Sequence, residues 1–278
     1  MVSASFFDSE CPGAFLLGVL REHADAAARD VAALPDRSNE RIHDIRVGMK
    51  KFRSSLRLAS EVLPSREFAR LDGLAREIKG AFGTARDRDV QLGLLRVLLG
   101  ERGAVAWPAA IGGEDCPAGD GTRKACESLS GLVAKLDLRQ LTSGQALAAW
   151  VASYRDARRT MAACHKDPED DFLFHKWRKR VKQVLYQSAV LGPPAADRVP
   201  GAQELSSALG SQHDLAGLLE IVPPCGPDAV RLVLEKKRET ARLALGLGDR
   251  VFRNKPDALI KCLSDFAKGC PRKKTRGI

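Results

Sequence analysis

Apolar residues recur at three- and four-residue intervals along nearly the whole chain, and alternating runs rich in β-formers are scarce, a pattern that predicts an all-α fold. Ala, Leu, Arg, Lys and Glu fill the periodic segments, as helix propensity favours. Pro12 to about Leu34 reads as a first helix stopped at Pro35, and Ser38 offers an N-cap to a second that runs to Leu63 before Pro64. Ser65 offers a cap to a third, with Phe68, Leu71, Leu74, Ile78 and Phe82 on one face, until Gly83 and Thr84 predict a bend before a further stretch from Arg86 to Leu99. From Gly100 to Gly121 the period gives way to Gly, Pro and acidic residues, which reads as a long loop carrying Trp107. Helical spacing returns at about Thr122 to Leu138, Thr142 to Cys164, Pro168 to Leu191, Ala202 to Ile221, Asp228 to Leu247 and Pro256 to Lys268, and the tail from Pro271 is expected to fray.

Two of these segments repeat one another. His43-Asp-Ile-Arg46-Val-Gly-Met-Lys50-Lys51-Phe-Arg53 aligns without gaps on His175-Lys-Trp-Arg178-Lys179-Arg180-Val-Lys182, so that His, Arg three residues on and Lys seven residues on recur. A second pair follows at similar spacing, Ala81-Phe-Gly83-Thr-Ala-Arg86-Asp87-Arg88-Asp89 against Ala208-Leu-Gly210-Ser-Gln-His213-Asp214. The reading is one domain over 1–278 built by internal duplication, with repeat one at about 11–138, repeat two at about 142–268 and a basic tail at 271–278.

On a helix turning about 100° per residue, His43, Arg46, Lys50, Arg53 and Arg57 share a sector roughly 80° wide, beside the sector of Ile42, Ile45, Met49, Phe52 and Leu56. A cationic stripe that borders the buried face is expected to line a groove or channel. A rise of about 1.5 Å per residue spaces its cations by roughly 4.5–6 Å, which suits a linear string of phosphates. Arg supplies planar forks for phosphate oxygens, Lys a compact charge, and His a donor whose charge a polyanion favours. A solvated helix face ordinarily mixes signs, whereas no position of this stripe is a carboxylate, and the stripe occurs twice. Lys79 and Arg86 are further candidates from the next helix, with His213 in the place of Arg86 in the second repeat, and Arg155 and Arg159 from the helix before His175. Asp87 and Asp214 are expected to cap new helices, or else to accept from a facing stripe cation.

Charge agrees with that chemistry: 45 Lys and Arg against 35 Asp and Glu leave a net +10 across 278 residues, which concentrates anionic partners. No basic leader followed by an apolar run opens the sequence and no stretch approaches the ~18 apolar residues of a membrane span, so a soluble, cytoplasmic protein without membrane partners is expected. The 7 cysteines are odd in number and contain no C-x-x-C pair, which points to reduced thiols and away from a disulfide framework or structural zinc.

With those motifs in view, the chain resembles the CHAD family, the conserved-histidine α-helical domain, over most of its length. His43-x-x-Arg46-Val-x-x-Lys50-Lys51-x-Arg53 resembles that family's first signature, Gly83-x-x-Arg86-Asp87-x-Asp89-Val90 its second, His175-x-x-Arg178-Lys179-x-Val-Lys182 with Tyr186 its third, and Leu209-Gly210-x-x-His213-Asp214 its fourth. The resemblance implies two pseudo-symmetric helical bundles around a basic channel, binding of inorganic polyphosphate through the His, Arg and Lys residues, and association with polyphosphate granules. Leu185 stands before Tyr186 where the family pattern usually has Arg, and repeat two has no cation matching Arg57, so its half of the channel is expected to bind less tightly.

Two other functions compete. The dipeptides His43-Asp44 and His213-Asp214 on a helical background suit a metal-dependent phosphohydrolase of the HD type, but the like charge of Arg46 and Lys50 opposes a bound cation and only 5 histidines exist. A basic helical protein also holds nucleic-acid backbones, although 10 Phe, 3 Trp and 2 Tyr with no reader motif give little support for base recognition, so nucleic-acid binding is expected to be incidental. No nucleophile–base arrangement, phosphate-cradling Gly loop or paired carboxylates stands out, which favours a binding protein without catalysis, cofactor or metal.

Overall fold

The computed structural model describes residues 6–7, 9, 11–34, 39–82, 93–94, 96–98, 119–220, 222 and 225–260. Among them no strand occurs, and the elements are α1 (Pro12–Ala32), α2 (Asn39–Leu56), a 3₁₀ turn (Arg57–Ala59), α3 (Ser65–Gly80), α4 (Asp120–Ala134), α5 (Ser143–Lys166), α6 (Asp171–Leu191), the short α7 (Pro193–Ala196), α8 (Ala202–Leu219) and α9 (Pro227–Val251). Helical residues also lie at 93–94, 96–98 and 256–260. The all-α expectation holds. Ser38, Arg86, Asp87, nearly all of the 100–121 loop and the tail fall outside the described residues, except that Asp120 and Gly121 already belong to α4.

Local chemistry explains most helix ends. Pro12 occupies the first turn of α1, where its missing N–H costs nothing. Thr142 opens α5 with a capping box: its hydroxyl accepts from the Gln145 amide at 3.2 Å while the Gln145 side chain accepts from the Thr142 amide at 3.0 Å. Asp170 caps α6 by accepting from the Phe172 and Leu173 amides at 2.8 and 3.1 Å. Gly192 stops α6 at φ +77, a conformation other residues avoid.

Three expectations are corrected. The second helix does not run to Leu63 but tightens into a 3₁₀ turn at Arg57, which buries Leu58 and Ala59, and the residue before Pro64 is disfavoured in the α region in any case. Ser65 does not cap α3, since Pro64 holds the cap position and Ser65 is already helical. Asp214 caps nothing: α8 continues through Gly210 to Leu219, so that Asp214 is an interior residue. A glycine inside a helix costs about 1 kcal/mol against alanine, which packing of α8 between α6 and α9 outweighs.

The helices pack in two groups. In one, α1 lies against α2 and α4, and α3 against α2 and α4; in the other, α5 lies against α6, α8 packs between α6 and α9, and α9 also touches α5. The groups meet where α2 packs on α6 and the 3₁₀ turn packs on α5. Apolar burial is continuous across that junction, with Met49 and Phe52 of α2, Trp150 and Tyr154 of α5 and Trp177 and Val181 of α6 in one core. Two polar contacts are buried there: the Trp150 indole donates to Ser188 Oγ at 2.8 Å, and Gln187 Nε2 reaches across from α6 to the Ser54 carbonyl of α2 at 3.1 Å. Leu94 and Leu98 pack on a second, smaller cluster of Leu215, Leu218, Val222, Ala229 and Val233, so the chain after the first hairpin reaches the second helix group.

Candidate anion-binding site

The junction of α2 and α6 brings the two His/Arg/Lys motifs together. On α2, the buried Ile45, Met49 and Phe52 turn inward and leave His43, Arg46, Lys50 and Arg53 half-buried along the rim. On α6, buried Phe174, Trp177, Val181 and Val184 do the same for His175, Arg178 and Lys182, with Lys179 exposed. Period alone dictates this: cations one or two residues beyond each apolar position stay within one turn of the core.

The result is that like charges from both motifs act on one amine. Burial, followed by the repulsion of Lys182, Arg178, Arg46 and Lys79, pushes the Lys50 ammonium down to about 8. Cations of both motifs, and one of α3, therefore act on a single amine. Arg46 also donates to the Phe82 carbonyl just beyond α3, which ties its guanidinium to the C-terminal end of that helix.

Histidines occupy the other end. Nδ1 of His175 and Nδ1 of His213 are 3.3 Å apart, and their rings are tilted at 39° with centroids 4.6 Å apart. One ring must donate from Nδ1 and the other accept at Nδ1, which requires the accepting ring to be neutral with its proton on Nε2. Burial, then Lys179, His213, Arg178 and Lys79, pushes His175 down to about 4, so the ring is neutral at neutral pH. His43 is half-buried, and its Nδ1 is enclosed without a hydrogen-bond partner among the described residues.

Arg53 and Arg57 form a second cluster around a residue that the sequence analysis did not single out. Asp72 of α3, 5% exposed, accepts from Arg53 Nε at 2.7 Å and Nη2 at 3.3 Å, lies 3.2 Å from Arg76 and 4.0 Å from Arg57. Burial is the largest influence on Arg57, ahead of the pull of Asp72 and the repulsion of Arg53, Arg180 and Arg76. Arg180 thus brings α6 to this end as well. The signal was present in the sequence, since Asp72 is a lone carboxylate between the apolar positions Leu71 and Leu74 on the packing side of its helix.

Arg155 and Arg159 face elsewhere. Arg155 lies 3.8 Å from Asp257 and Arg159 3.9 Å from Asp156, and with Arg158, Met161, Ala162 and Pro256 they line a separate hollow. Arg86 and the motif around it lie outside the described residues.

A set of Arg, Lys and His groups drawn from both motifs suits an anion with several charges, because successive phosphates can meet successive cations. Among the described residues no three His, Cys, Asp or Glu side chains are grouped to hold a metal ion. No described helix is long and apolar enough to cross a membrane. Burial pushes the thiols of Cys126 and Cys164 up to about 11 and about 12, which keeps them protonated and unreactive. The family model described as the CHAD domain matches residues 18–222. No curated protein and no solved structure matches the chain.

Proposed function

We propose, for a chain that belongs to the CHAD family, that inorganic polyphosphate binds along the cationic rim where α2 meets α6. One observation carries the reading: Lys182 and Arg178 of the second motif, Arg46 of the first and Lys79 of α3 all act on the Lys50 amine. A linear polyanion can meet such cations with successive phosphates. His175 and His213 extend the row at one end, and Arg53, Arg57 and Arg180 at the other.

The two helix groups are read as repeats of one duplicated unit, and the rim as the wall of a basic channel. Supporting this, each motif lies on a long helix packed against the helix that precedes it, α2 on α1 and α6 on α5. Binding without turnover, in the cytoplasm and at polyphosphate granules, is the corresponding role. A nucleic-acid backbone offers the same phosphates and is the second reading, favoured by the net charge of +10.

Calorimetric titration of the purified protein with long-chain polyphosphate at near-physiological salt tests the proposal, with single-stranded DNA, RNA and triphosphate as competitors and phosphate release followed with and without divalent metal. Preferential polyphosphate binding without release is expected. Preference for nucleic acid, or metal-dependent release, would replace the reading with nucleic-acid binding or phosphohydrolysis respectively.

A further inference from the structure

The separate hollow on α5 holds three arginines that the α2–α6 rim does not use. Arg155, Arg158, Arg159 and Ala162 recur at three- and four-residue spacing, which puts them on one side of the helix. The chain just beyond α9 forms the facing wall and is tied to α5 twice. Tyr154 donates from its hydroxyl to the Asn254 carbonyl at 3.0 Å, and Arg158 Nε donates to the Phe252 carbonyl at 3.1 Å. Pro256 follows closely, and with Met161 and Ala162 it completes a hollow of about 340 Å³. That size lies at the lower end of the range of small-molecule sites, and the two ties hold its walls in place before any ligand arrives.

The lining divides by chemistry. Arg155, Arg158 and Arg159 supply charge, Met161, Ala162 and Pro256 supply apolar surface, and no carboxylate is among these six residues. Two carboxylates stand beside them, and neither holds its arginine tightly: Arg155 is 3.8 Å from Asp257 and Arg159 is 3.9 Å from Asp156, both beyond hydrogen-bonding range. Asp257 is itself almost fully exposed, and Asp156 also lies 3.6 Å from Arg180 of α6. An entering anion therefore meets Arg155 and Arg159 in loose, solvent-screened pairs that cost little to open.

We propose that this hollow is a nucleotide site, taking the phosphate of a nucleoside monophosphate on Arg155, Arg158 and Arg159 and the face of its base against Met161 and Pro256. A phosphate monoester presents three terminal oxygens, which three planar guanidinium forks match better than they match a single carboxylate. An inorganic anion leaves the apolar half of the lining unused, and an apolar ligand leaves the arginines unused. A flat heteroaromatic base joined to a phosphate uses both: the Met161 thioether packs against an aromatic ring, and guanidinium groups stack on its face. A chain of phosphates gains nothing from Met161 and Pro256, so the hollow differs from the rim in ligand class as well as in place.

Calorimetric titration of the intact protein with the monophosphates of adenosine, guanosine, cytidine and uridine tests the proposal, with adenosine and inorganic phosphate as the separate halves of a ligand. At least one nucleotide is expected to bind at least about tenfold more tightly than either half. Arg155→Gln with Arg159→Gln should lower that affinity by roughly 10- to 100-fold. Ala162→Glu, a change at an exposed position away from the core, puts a carboxylate among the arginines and should abolish binding. Far-UV circular dichroism checks that the variants keep their helices. Arg46→Gln with Lys50→Gln, on the rim, should leave nucleotide affinity within about twofold of the parent. Inorganic phosphate binding as tightly as every nucleotide, no nucleotide binding at millimolar concentration, or an affinity that holds in the α5 variants would each overturn the proposal, as would an affinity lost in the rim variant. None of these residues belongs to the rim, so failure here leaves the polyphosphate reading standing, and failure of that reading leaves this one standing.

Discussion

Nδ1 of His175 stands 3.3 Å from Nδ1 of His213, inside a cluster whose other charges on His175 are Lys179, Arg178 and Lys79. Such a pair is stable only while the site holds few protons. The folded protein keeps His175 neutral down to about 4, whereas the unfolded chain protonates it at 6.5. Between those values the unfolded state binds more protons, so stability is full above pH 6.5, is lost as pH falls, and stops falling below about 4. The shift sets a ceiling of about 3 kcal/mol, which solvent access to a ring on the rim reduces to about 1–2 kcal/mol. Urea titrations between pH 4 and 7 measure it. His175→Gln should flatten the profile, and an unchanged slope in that variant would remove the pair as its cause.

The same ring should make polyanion binding pH-dependent with the opposite sense. A bound polyphosphate favours the imidazolium, so complex formation takes up protons in the acidic range and affinity rises as pH drops from 6.5 toward 5. Lys50 acts likewise at the alkaline end, where affinity should fall as pH rises through about 8 and the free amine loses its proton. Calorimetry at one pH in buffers of different ionisation heat gives the proton count directly. A count of zero at both pH 6 and pH 8 would contradict the placement of these groups against the ligand.

Charge removal at either motif should weaken binding while the helices stay intact. Arg46→Gln with Lys50→Gln, and Arg178→Gln with Lys182→Gln, each delete two phosphate contacts and should lower affinity by roughly 10- to 100-fold. The slope of log affinity against log salt should become shallower by about two in each. Far-UV circular dichroism checks the fold. Undiminished affinity in both double variants would exclude the α2–α6 rim as the binding surface.

How much of this was legible in the sequence depends on what periodicity encodes. Helix existence was legible because apolar spacing was sustained, as in α5 and α6, and the cationic stripes were legible because they sit one step from the apolar positions. The partner of each stripe was not. Spacing tells which side of α2 carries Lys50, but only the packing of α2 on α6 shows that Lys182 and Arg178 arrive there. Asp72 illustrates the same limit, since a carboxylate on α3 acquires its role only when Arg53 and Arg57 of the preceding hairpin helix meet it.

Asp72 should matter more for stability than for ligand contact. Its carboxylate is buried against Arg53, with Arg76 and Arg57 close by, and removing it leaves guanidinium groups repelling one another in a partly dry setting. Asp72→Asn keeps the shape and deletes the charge, and is expected to cost about 3 kcal/mol in urea unfolding. The cost should shrink when Arg53→Met is added, because the double variant lacks the guanidinium that Asp72 holds most closely. Strict additivity of the two substitutions would show that the pair is not coupled.

Gly248 joins the packing of α9 to the orientation of the second motif. A Cβ built there would lie 2.6 Å from Trp177 Cζ2, 2.7 Å from its Cη2 and 2.8 Å from the Met161 sulfur. Trp177 is fully buried between His175 and Arg178 on α6, so its ring cannot retreat without turning the helix that carries those cations. Gly246, two residues earlier on α9, has nothing within 4 Å of the same hypothetical atom. Overpacking should therefore make Gly248→Ala lose about 1–3 kcal/mol, while Gly246→Ala, which only restricts the unfolded chain and improves helix propensity, should gain about 0.5–1 kcal/mol. Polyphosphate affinity should fall in the first variant and hold in the second, since only the first displaces α6. Equal stability of the two variants would mean that α9 does not clamp Trp177, and the link between core packing and the cationic rim would have to be sought at the α2–α6 contact alone.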